Sequence, residues 1–227
     1  EVERFGVQGG WETLPAADGV PVDERFAVYH NAERVGVVEW QVQGEHNRMN
    51  ALAAIAAARH VGVPPAQAAK SLASFRNVKR RMEVRGSVDG VTVYDDFAHH
   101  PTAIETTVAG LRARVGRDNT RILAVLEPRS NTMKLGVMKA QLPASLADAD
   151  LVFGYGAPSG RDALGWNLGE ALAPLGANAQ AFDNLDALVK AVVHAARPGD
   201  QILVMSNGGF GGVHQKLLDA LSARGAT

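Results

Sequence analysis

Tyr94-Asp95-Asp96-Phe97-Ala98-His99-His100-Pro101-Thr102 is the stretch that decides the fold. A β-branched run at 90–93 precedes it and a helix-like run over 103–111 follows it, so two carboxylates and two imidazoles stand where a strand hands over to a helix. In an open α/β sheet that junction is the edge where ligands bind, because helix N-termini and unpaired backbone N–H groups converge there. Pro101 suits a first helical turn, where its missing N–H leaves nothing unpaired.

Working outward, strand and helix alternate from Met82 onward. Strands are expected at 82–88, 91–95, 121–126, 151–155, 180–182 and 201–205, and helices at 103–115, 139–147, 168–175, 185–196 and 213–223. Such alternation predicts an α/β fold with a mostly parallel sheet covered by helices on both faces. Upstream the grammar differs. Residues 4–7, 26–31 and 35–43 alternate like antiparallel strands, separated by turn-rich pieces such as Pro15-Ala16-Ala17-Asp18-Gly19. An alanine-rich helix is expected over 47–61, with Met49, Leu52, Ala53, Ile55 and Ala56 on its apolar face. Pro64-Pro65 opens a second helix through Ala68, Ala69, Leu72 and Phe75. The polar stretch 76–81 then reads as a linker.

Composition narrows the function classes. At 227 residues with 46% hydrophobic content, the chain is long enough to bury a core without disulfide staples. A formal net charge of −1 argues against a role built on neutralising nucleic-acid phosphates. Without cysteine there are no disulfides and no thiolate zinc sites, which fits a reducing, cytoplasmic setting. No apolar run approaches the roughly 20 residues that span a bilayer. The opening Glu1-Val2-Glu3-Arg4-Phe5 lacks the features of a signal peptide. A chain that opens without Met and in strand-like sequence reads as a piece of a longer product.

Five segments could carry chemistry. In Gly44-Glu45-His46-Asn47-Arg48-Met49-Asn50, the amides of Asn47 and Asn50 share a helical face and could meet a heterocycle edge, although on spacing alone helix capping is favoured. Lys79-Arg80-Arg81-Met82-Glu83 offers guanidinium forks that suit phosphate, or a solvated charge run. Asp95 and Asp96 could accept from hydroxyls, hold magnesium through oxygen, or cap the following helix, while neighbouring His99 and His100 are poorly spaced for one zinc ion. Glu127-Pro128-Arg129-Ser130-Asn131-Thr132-Met133-Lys134 follows a strand; it could be an ordinary polar loop, but loops at this edge are the usual ligand contacts, and a guanidinium there suits a carboxylate. Ser206-Asn207-Gly208-Gly209-Phe210-Gly211-Gly212 lets backbone approach a ligand closely, yet it does not keep the frame of a dinucleotide fingerprint.

In their order and wording, GEHNRMNALAAIAAA, KRRMEV, YDDFAHHPTAI, LEPRSNTMKLG and SNGGFGGVHQKLL resemble the second half of a Mur ligase over nearly the whole chain. The last two loops look most like the murein-peptide branch of that family. The resemblance implies that residues 1–78 are the tail of a central ATPase domain and 79–227 a Rossmann-like C-terminal domain. It implies a reaction in which ATP and magnesium activate the carboxylate of UDP-N-acetylmuramate as an acyl phosphate. The amine of the tripeptide L-Ala-γ-D-Glu-meso-diaminopimelate then attacks, in peptidoglycan recycling.

Residue by residue, the resemblance places His46, Asn47 and Asn50 near the adenine, Arg81 at the ATP phosphates, Asp96 at the ribose, and His99 and His100 in the nucleotide-facing turn. It assigns Arg129, Ser130, Asn131 and Thr132 to the acceptor, with Asn207, Gly208 and Gly209 lining the same pocket. No metal ligand is assigned within the chain. No GxxxxGK[ST] loop occurs in this sequence, so the phosphate-gripping lysine and the main magnesium ligands are expected elsewhere, and the chain alone is expected not to ligate. The alternatives are the alanine-adding Mur ligase, folylpolyglutamate synthase or, in another class, a non-catalytic nucleotide- or peptide-binding module.

Overall fold

The computed structural model describes residues 3–7, 9–16, 21–22, 24–40, 42, 44–76 and 78–225. The chain divides into two compact units, Glu1–Val78 and Lys79–Thr227. The turn residues Ala17, Asp18 and Gly19, the expected strand residues Gln41 and Gln43, and Asn77 of the expected linker lie outside the described residues.

In the first unit, β1 (Trp11–Pro15), β2 (Arg25–His30) and β3 (Glu33–Glu39) form an antiparallel sheet in that order. β2 and β3 join through Asn31 and Ala32, both at positive φ, the left-handed geometry of a tight two-residue hairpin. Helices α1 (Glu45–His60) and α2 (Pro65–Ser71) follow, and the core unites Trp11, Phe26 and Val38 of the sheet with Leu52, Ile55 and Ala69 of the helices. Gly36 lets α2 lie close, since a Cβ there would stand 3.0 Å from that of Ala69. The expected strand at 4–7 is absent. Phe5 makes one bridge to Trp11, while Gly6 and Gly9 at positive φ turn the chain back on itself. The strand is instead Trp11–Pro15, an edge strand that tolerates a terminal proline.

The second unit is a six-stranded sheet built from β4 (Glu83–Val88), β5 (Val91–Asp96), β6 (Ile122–Leu126), β7 (Leu151–Tyr155), β8 (Ala179–Phe182) and β9 (Gln201–Met205), in the order β4-β5-β9-β6-β7-β8. β4 pairs antiparallel with β5 and every other pairing is parallel, as the alternation of elements implies. Successive side chains of the central strands face opposite ways. Val93, Leu123 and Ile202 point toward α7 (Leu185–Ala195) and α8 (Val213–Gly225). Tyr94, Ala124 and Leu203 point toward α3 (Pro101–Val115) and the short helices α5 (Leu142–Ser145) and α6 (Leu168–Leu172). A central strand buried on both faces must read as a continuous apolar run, which Ile122–Leu126 does.

Two expected helices are shorter than their periodicity suggests. Over 139–147 a 3-10 turn at Lys139–Gln141 leads into α5, because Pro143 has no N–H to continue an earlier helix. Over 168–175 the α-helix stops at Leu172, and Pro174 lies in the 3-10 segment that follows. The loop after β6 contains a helical turn that its composition does not announce, α4 (Asn131–Lys134).

One buried cation fastens the lower edge of this sheet. Arg112 of α3 is 6% exposed and donates to the carbonyls of Gly116 (2.8 Å), Thr120 (3.0 Å) and Asp148 (3.0 Å), and pairs with Asp150. Asp150 in turn accepts from the Ile122 N–H at 2.7 Å, so the guanidinium joins the end of α3 to the starts of β6 and β7. Arg112→Met keeps the stem but leaves those carbonyls without a donor. It is expected to lower unfolding stability by about 3 kcal/mol, read as a fall in the urea midpoint at unchanged slope; a midpoint within about 0.3 M of wild type would show that the network carries no such weight.

Candidate active site at the carboxyl edge of the sheet

Asp96, Met205 and Leu126 are register partners across β5, β9 and β6, so the residues that follow these strands emerge side by side. Their backbones remain tied beyond the sheet: the Ser206 N–H donates to Asp96 O at 3.1 Å and the Glu127 N–H to Met205 O at 3.0 Å. Three of the five segments singled out in the sequence, those after β5, β6 and β9, therefore share one edge.

Asp96 organises the β5 corner. It is 2% exposed, and its Oδ2 accepts from the Met82 N–H at 2.9 Å. Its Oδ1 accepts from the Ala98 N–H at 2.8 Å and the Thr107 hydroxyl at 3.3 Å. The Phe97 N–H donates to Arg80 O at 2.8 Å, so residues 80–82 are pinned on both sides of Arg81. Arg81 is exposed, with its guanidinium carbon 5.9 Å from the centre of the Phe97 ring, itself half-open to solvent. His99 stacks edge-on against Phe97 and His100, and its Nδ1 lies 2.9 Å from Phe97 O. Neither aspartate caps α3. That role falls to His100, whose Nδ1 accepts from the Ala103 N–H.

Beside this corner lies a buried charge cluster. Arg80 donates from Nε to Asp95 Oδ1 at 3.2 Å and from Nη2 to the carbonyls of Ser206 (2.5 Å) and Gly208 (2.8 Å). Arg80 is thus a clamp on the glycine-rich loop, not a solvated member of a charge run. His214 of α8 sits 3.2 Å from Asp95 Oδ1 without hydrogen-bond alignment, and its burial lowers its pKa against the pull of Asp95.

The β6 corner centres on Arg129. Its guanidinium donates to Asp162 at 3.0 Å, stands 4.0 Å from Glu127, and packs so closely on Gly208 that a Cβ there would meet Nη1 at 2.0 Å. Glu127 is buried and accepts from the Ser206 hydroxyl at 2.6 Å; burial pushes its pKa up. Ser206 Oγ also accepts from the Gly208 N–H at 3.0 Å. Ser130 caps α4 by accepting from the Met133 N–H, leaving Asn131 and Thr132 exposed on that turn. Asn207 Oδ1 is buried with no donor among the described residues, while Gly209 is exposed.

The edge thus gathers Arg81, Asp96, His99 and His100 at one corner, and Arg129, Ser130, Asn207 and Gly208 at the next. His46, Asn47 and Asn50 belong to the first unit, in the opening turns of α1. Asn47 is not its cap: Gly44 occupies that position and its carbonyl accepts from the Asn47 and Arg48 N–H groups. Sequence reasoning passed over Asp162 and Trp166. Both come from the loop after β7, with Trp166 Nε1–H donating to Met133 O at 2.7 Å. No motif marks that loop, although an arginine half-buried beside a carboxylate implies some acidic partner. Among the described residues no group of three or more His, Asp or Glu side chains is placed to hold a metal ion, and no helix is long and apolar enough to cross a membrane.

Comparison with known proteins places the chain in a family. Residues 80–208 match the family model described as Mur ligase, glutamate ligase domain. The chain is 50% identical over 224 residues to the UDP-N-acetylmuramate–L-alanyl-γ-D-glutamyl-meso-2,6-diaminoheptandioate ligase of Escherichia coli K12, covering 99% of this chain and 47% of that protein. It is 35% identical to a UDP-N-acetylmuramate–L-alanine ligase of Acidothermus cellulolyticus, covering 98% of this chain and 48% of the relative. The crystal structure of a murein peptide ligase from Psychrobacter arcticus superposes with a TM-score of 0.72 at 36% identity, covering 97% of this chain and 46% of that one. The chain spans about half the length of the curated relatives it matches. Matched by family model across its sheet domain and by whole-chain identity to named ligases, the chain belongs to the Mur ligase family.

Proposed function

We propose that this chain is the carboxyl-terminal half of an ATP-dependent ligase that joins UDP-N-acetylmuramate to the tripeptide L-alanyl-γ-D-glutamyl-meso-diaminopimelate in the cytoplasm. Residues 1–78 are then the end of the central ATPase domain, and residues 79–227 the C-terminal domain that presents the acceptor. The observation that carries the proposal is the half-identity, along 99% of the chain, to a ligase named for that tripeptide. The lower identity to an alanine-adding relative ranks that acceptor second.

In this proposal ATP converts the muramyl carboxylate to an acyl phosphate, the peptide amine attacks its carbonyl carbon, and phosphate leaves. Such chemistry depends chiefly on positioning and on neutralising phosphate charge. Arg81 is assigned to the phosphates; its exposure, and the hydrogen bonds that tie the backbone on either side of it to Asp96 and Phe97, support that assignment. Asp96 is assigned to the ribose, His99 and His100 to the neighbouring nucleotide-facing turn, and His46, Asn47 and Asn50 to the adenine. Arg129 is assigned to a carboxylate of the acceptor, for which Asp162 stands in here. Asn207, Gly208 and Gly209 line the same side, with Ser130, Asn131 and Thr132; the undonated Asn207 Oδ1 suits an incoming amide N–H. Magnesium accompanies ATP in this proposal, but Asp95 and Asp96 are already engaged within the fold, so its ligands are assigned outside the chain.

Two outcomes follow. The purified 227-residue chain, given ATP, magnesium, UDP-N-acetylmuramate and tripeptide, should release no phosphate above background; ligation product detected by mass spectrometry would contradict the assignment of the ATP site elsewhere. In the intact ligase, Gly208→Ala must displace the Arg129 guanidinium. It should raise the KM for tripeptide about tenfold while leaving the KM for ATP unchanged. An unchanged tripeptide KM would remove Arg129 from the acceptor site.

A further inference from the structure

Arg81 is flanked by two residues in left-handed backbone, Arg80 at φ 59° and Met82 at φ 51°. Neither is glycine, so each strains the chain in a region that residues with a Cβ seldom enter. Such geometry persists only where its surroundings impose it. Here the Arg80 N–H donates to Glu83 Oε2 at 2.9 Å, the Arg80 carbonyl accepts from the Phe97 N–H, and the Met82 N–H is held by Asp96. Met82 packs against the core on the α3 side of the sheet, Arg80 is partly buried, and Arg81 between them is exposed. The guanidinium carbons of Arg80 and Arg81 lie over the Phe97 ring, 5.3 Å and 5.9 Å from its centre.

A glycine would take the conformation at position 80 without strain, but it would bring no guanidinium. What the arginine brings is a fork that reaches the neighbouring loop. Its Nε faces Asp95, which is buried and is also approached by Arg85 at 3.8 Å and His214 at 3.2 Å. With that carboxylate fixing the plane of the fork, Nη2 donates to both Ser206 O and Gly208 O. Gly208 is the residue on which Arg129 packs, and its N–H is tied through the Ser206 hydroxyl to Glu127. One side chain therefore runs from the backbone that presents Arg81 to the backbone that supports Arg129. A lysine would copy this only in part, since one ammonium nitrogen lacks the planar spread of three.

We infer that Arg80 is a positioning residue for the ligation: it fixes the spacing between Arg81 and the loop behind Arg129, and so holds the phosphate side of the site in register with the acceptor side. The inference rests on the roles proposed above for Arg81 and Arg129, and adds to them a residue that acts through both arginines instead of on a substrate. Attack of an amine on an acyl phosphate joins groups held from the two sides. A loosened spacing therefore lowers the rate even where each side still binds.

The test is steady-state kinetics of the intact ligase carrying Arg80→Gly, which removes the fork and suits the left-handed backbone. The kcat should fall about tenfold and the KM for tripeptide rise about fivefold. Guanidinium ion, added below denaturing concentrations, fits the space left between Asp95 and the two carbonyls. It should recover the tripeptide KM and not the kcat, because a detached guanidinium steadies the loop without joining it to residue 80. Arg80→Lys keeps the tether and one donor, and should lose about threefold in each parameter. A kcat and KM for Arg80→Gly within about twofold of wild type, or recovery of both together by guanidinium, would overturn the inference. If Arg80→Gly does not fold, Arg80→Lys answers in its place, and wild-type kinetics in that variant would overturn the inference equally. Arg81→Ala and Gly208→Ala probe the underlying roles separately; if neither changes the kcat or the tripeptide KM, the proposed function falls and this inference with it.

Discussion

The carboxylate of Asp96 is the constraint on which the edge of this sheet depends. Buried at the end of β5, it accepts from the Met82 and Ala98 amides and the Thr107 hydroxyl. It thereby joins the segment leading into β4, the turn after β5 and the helix α3. A buried carboxylate is tolerated where donors converge on it, and removing one side of such an arrangement leaves the remaining groups unpaired at a cost of about 1–3 kcal/mol each. The arrangement aims Arg81 and the His99–His100 turn from a backbone that cannot drift. Geometry of this kind suits a ligase, where small misplacement of a positioning group weakens the reaction sharply.

A second set of buried charges fixes the neighbouring loop. Arg80 spends its donors on Asp95 and two loop carbonyls, while Ser206 links Glu127 to the Gly208 amide. The outcome is a division of labour between adjacent arginines: Arg80 faces inward and holds the loop, and Arg81 faces solvent. Arg129 belongs to neither class. It is half-buried and paired with Asp162 across a loop boundary, and in the proposed function a ligand carboxylate takes the place of that partner.

The sequence carried much of this and hid the rest for identifiable reasons. Strands at 151–155 and 201–205 are legible because Leu151-Val152-Phe153 and Ile202-Leu203-Val204-Met205 are the unbroken apolar runs that a parallel strand requires. Trp11–Pro15 was hidden because an edge strand has mixed burial and ends in proline, and the period-2 signal drifted onto 4–7 instead. The placing of Arg129 just beyond β6 and of Asp96 at the end of β5, both at the carboxyl edge, was legible from the strand pattern. The inward turn of Arg80 was not, since a run of three basic residues reads as solvated until the β4–β5 pairing brings Asp95 beside it. Asp162 and Trp166 were invisible for a different reason: their partners lie 33 residues away in sequence, and only the tertiary fold joins them.

The central claim, that the carboxyl edge around Arg129 receives the acceptor peptide, is tested most directly by a crystal structure of the chain with the tripeptide bound. The account predicts that Arg129 has released Asp162 and that a peptide carboxylate occupies its place on the guanidinium, beside Gly208 and Asn207. A peptide bound elsewhere, with the Arg129–Asp162 pair intact, would contradict it.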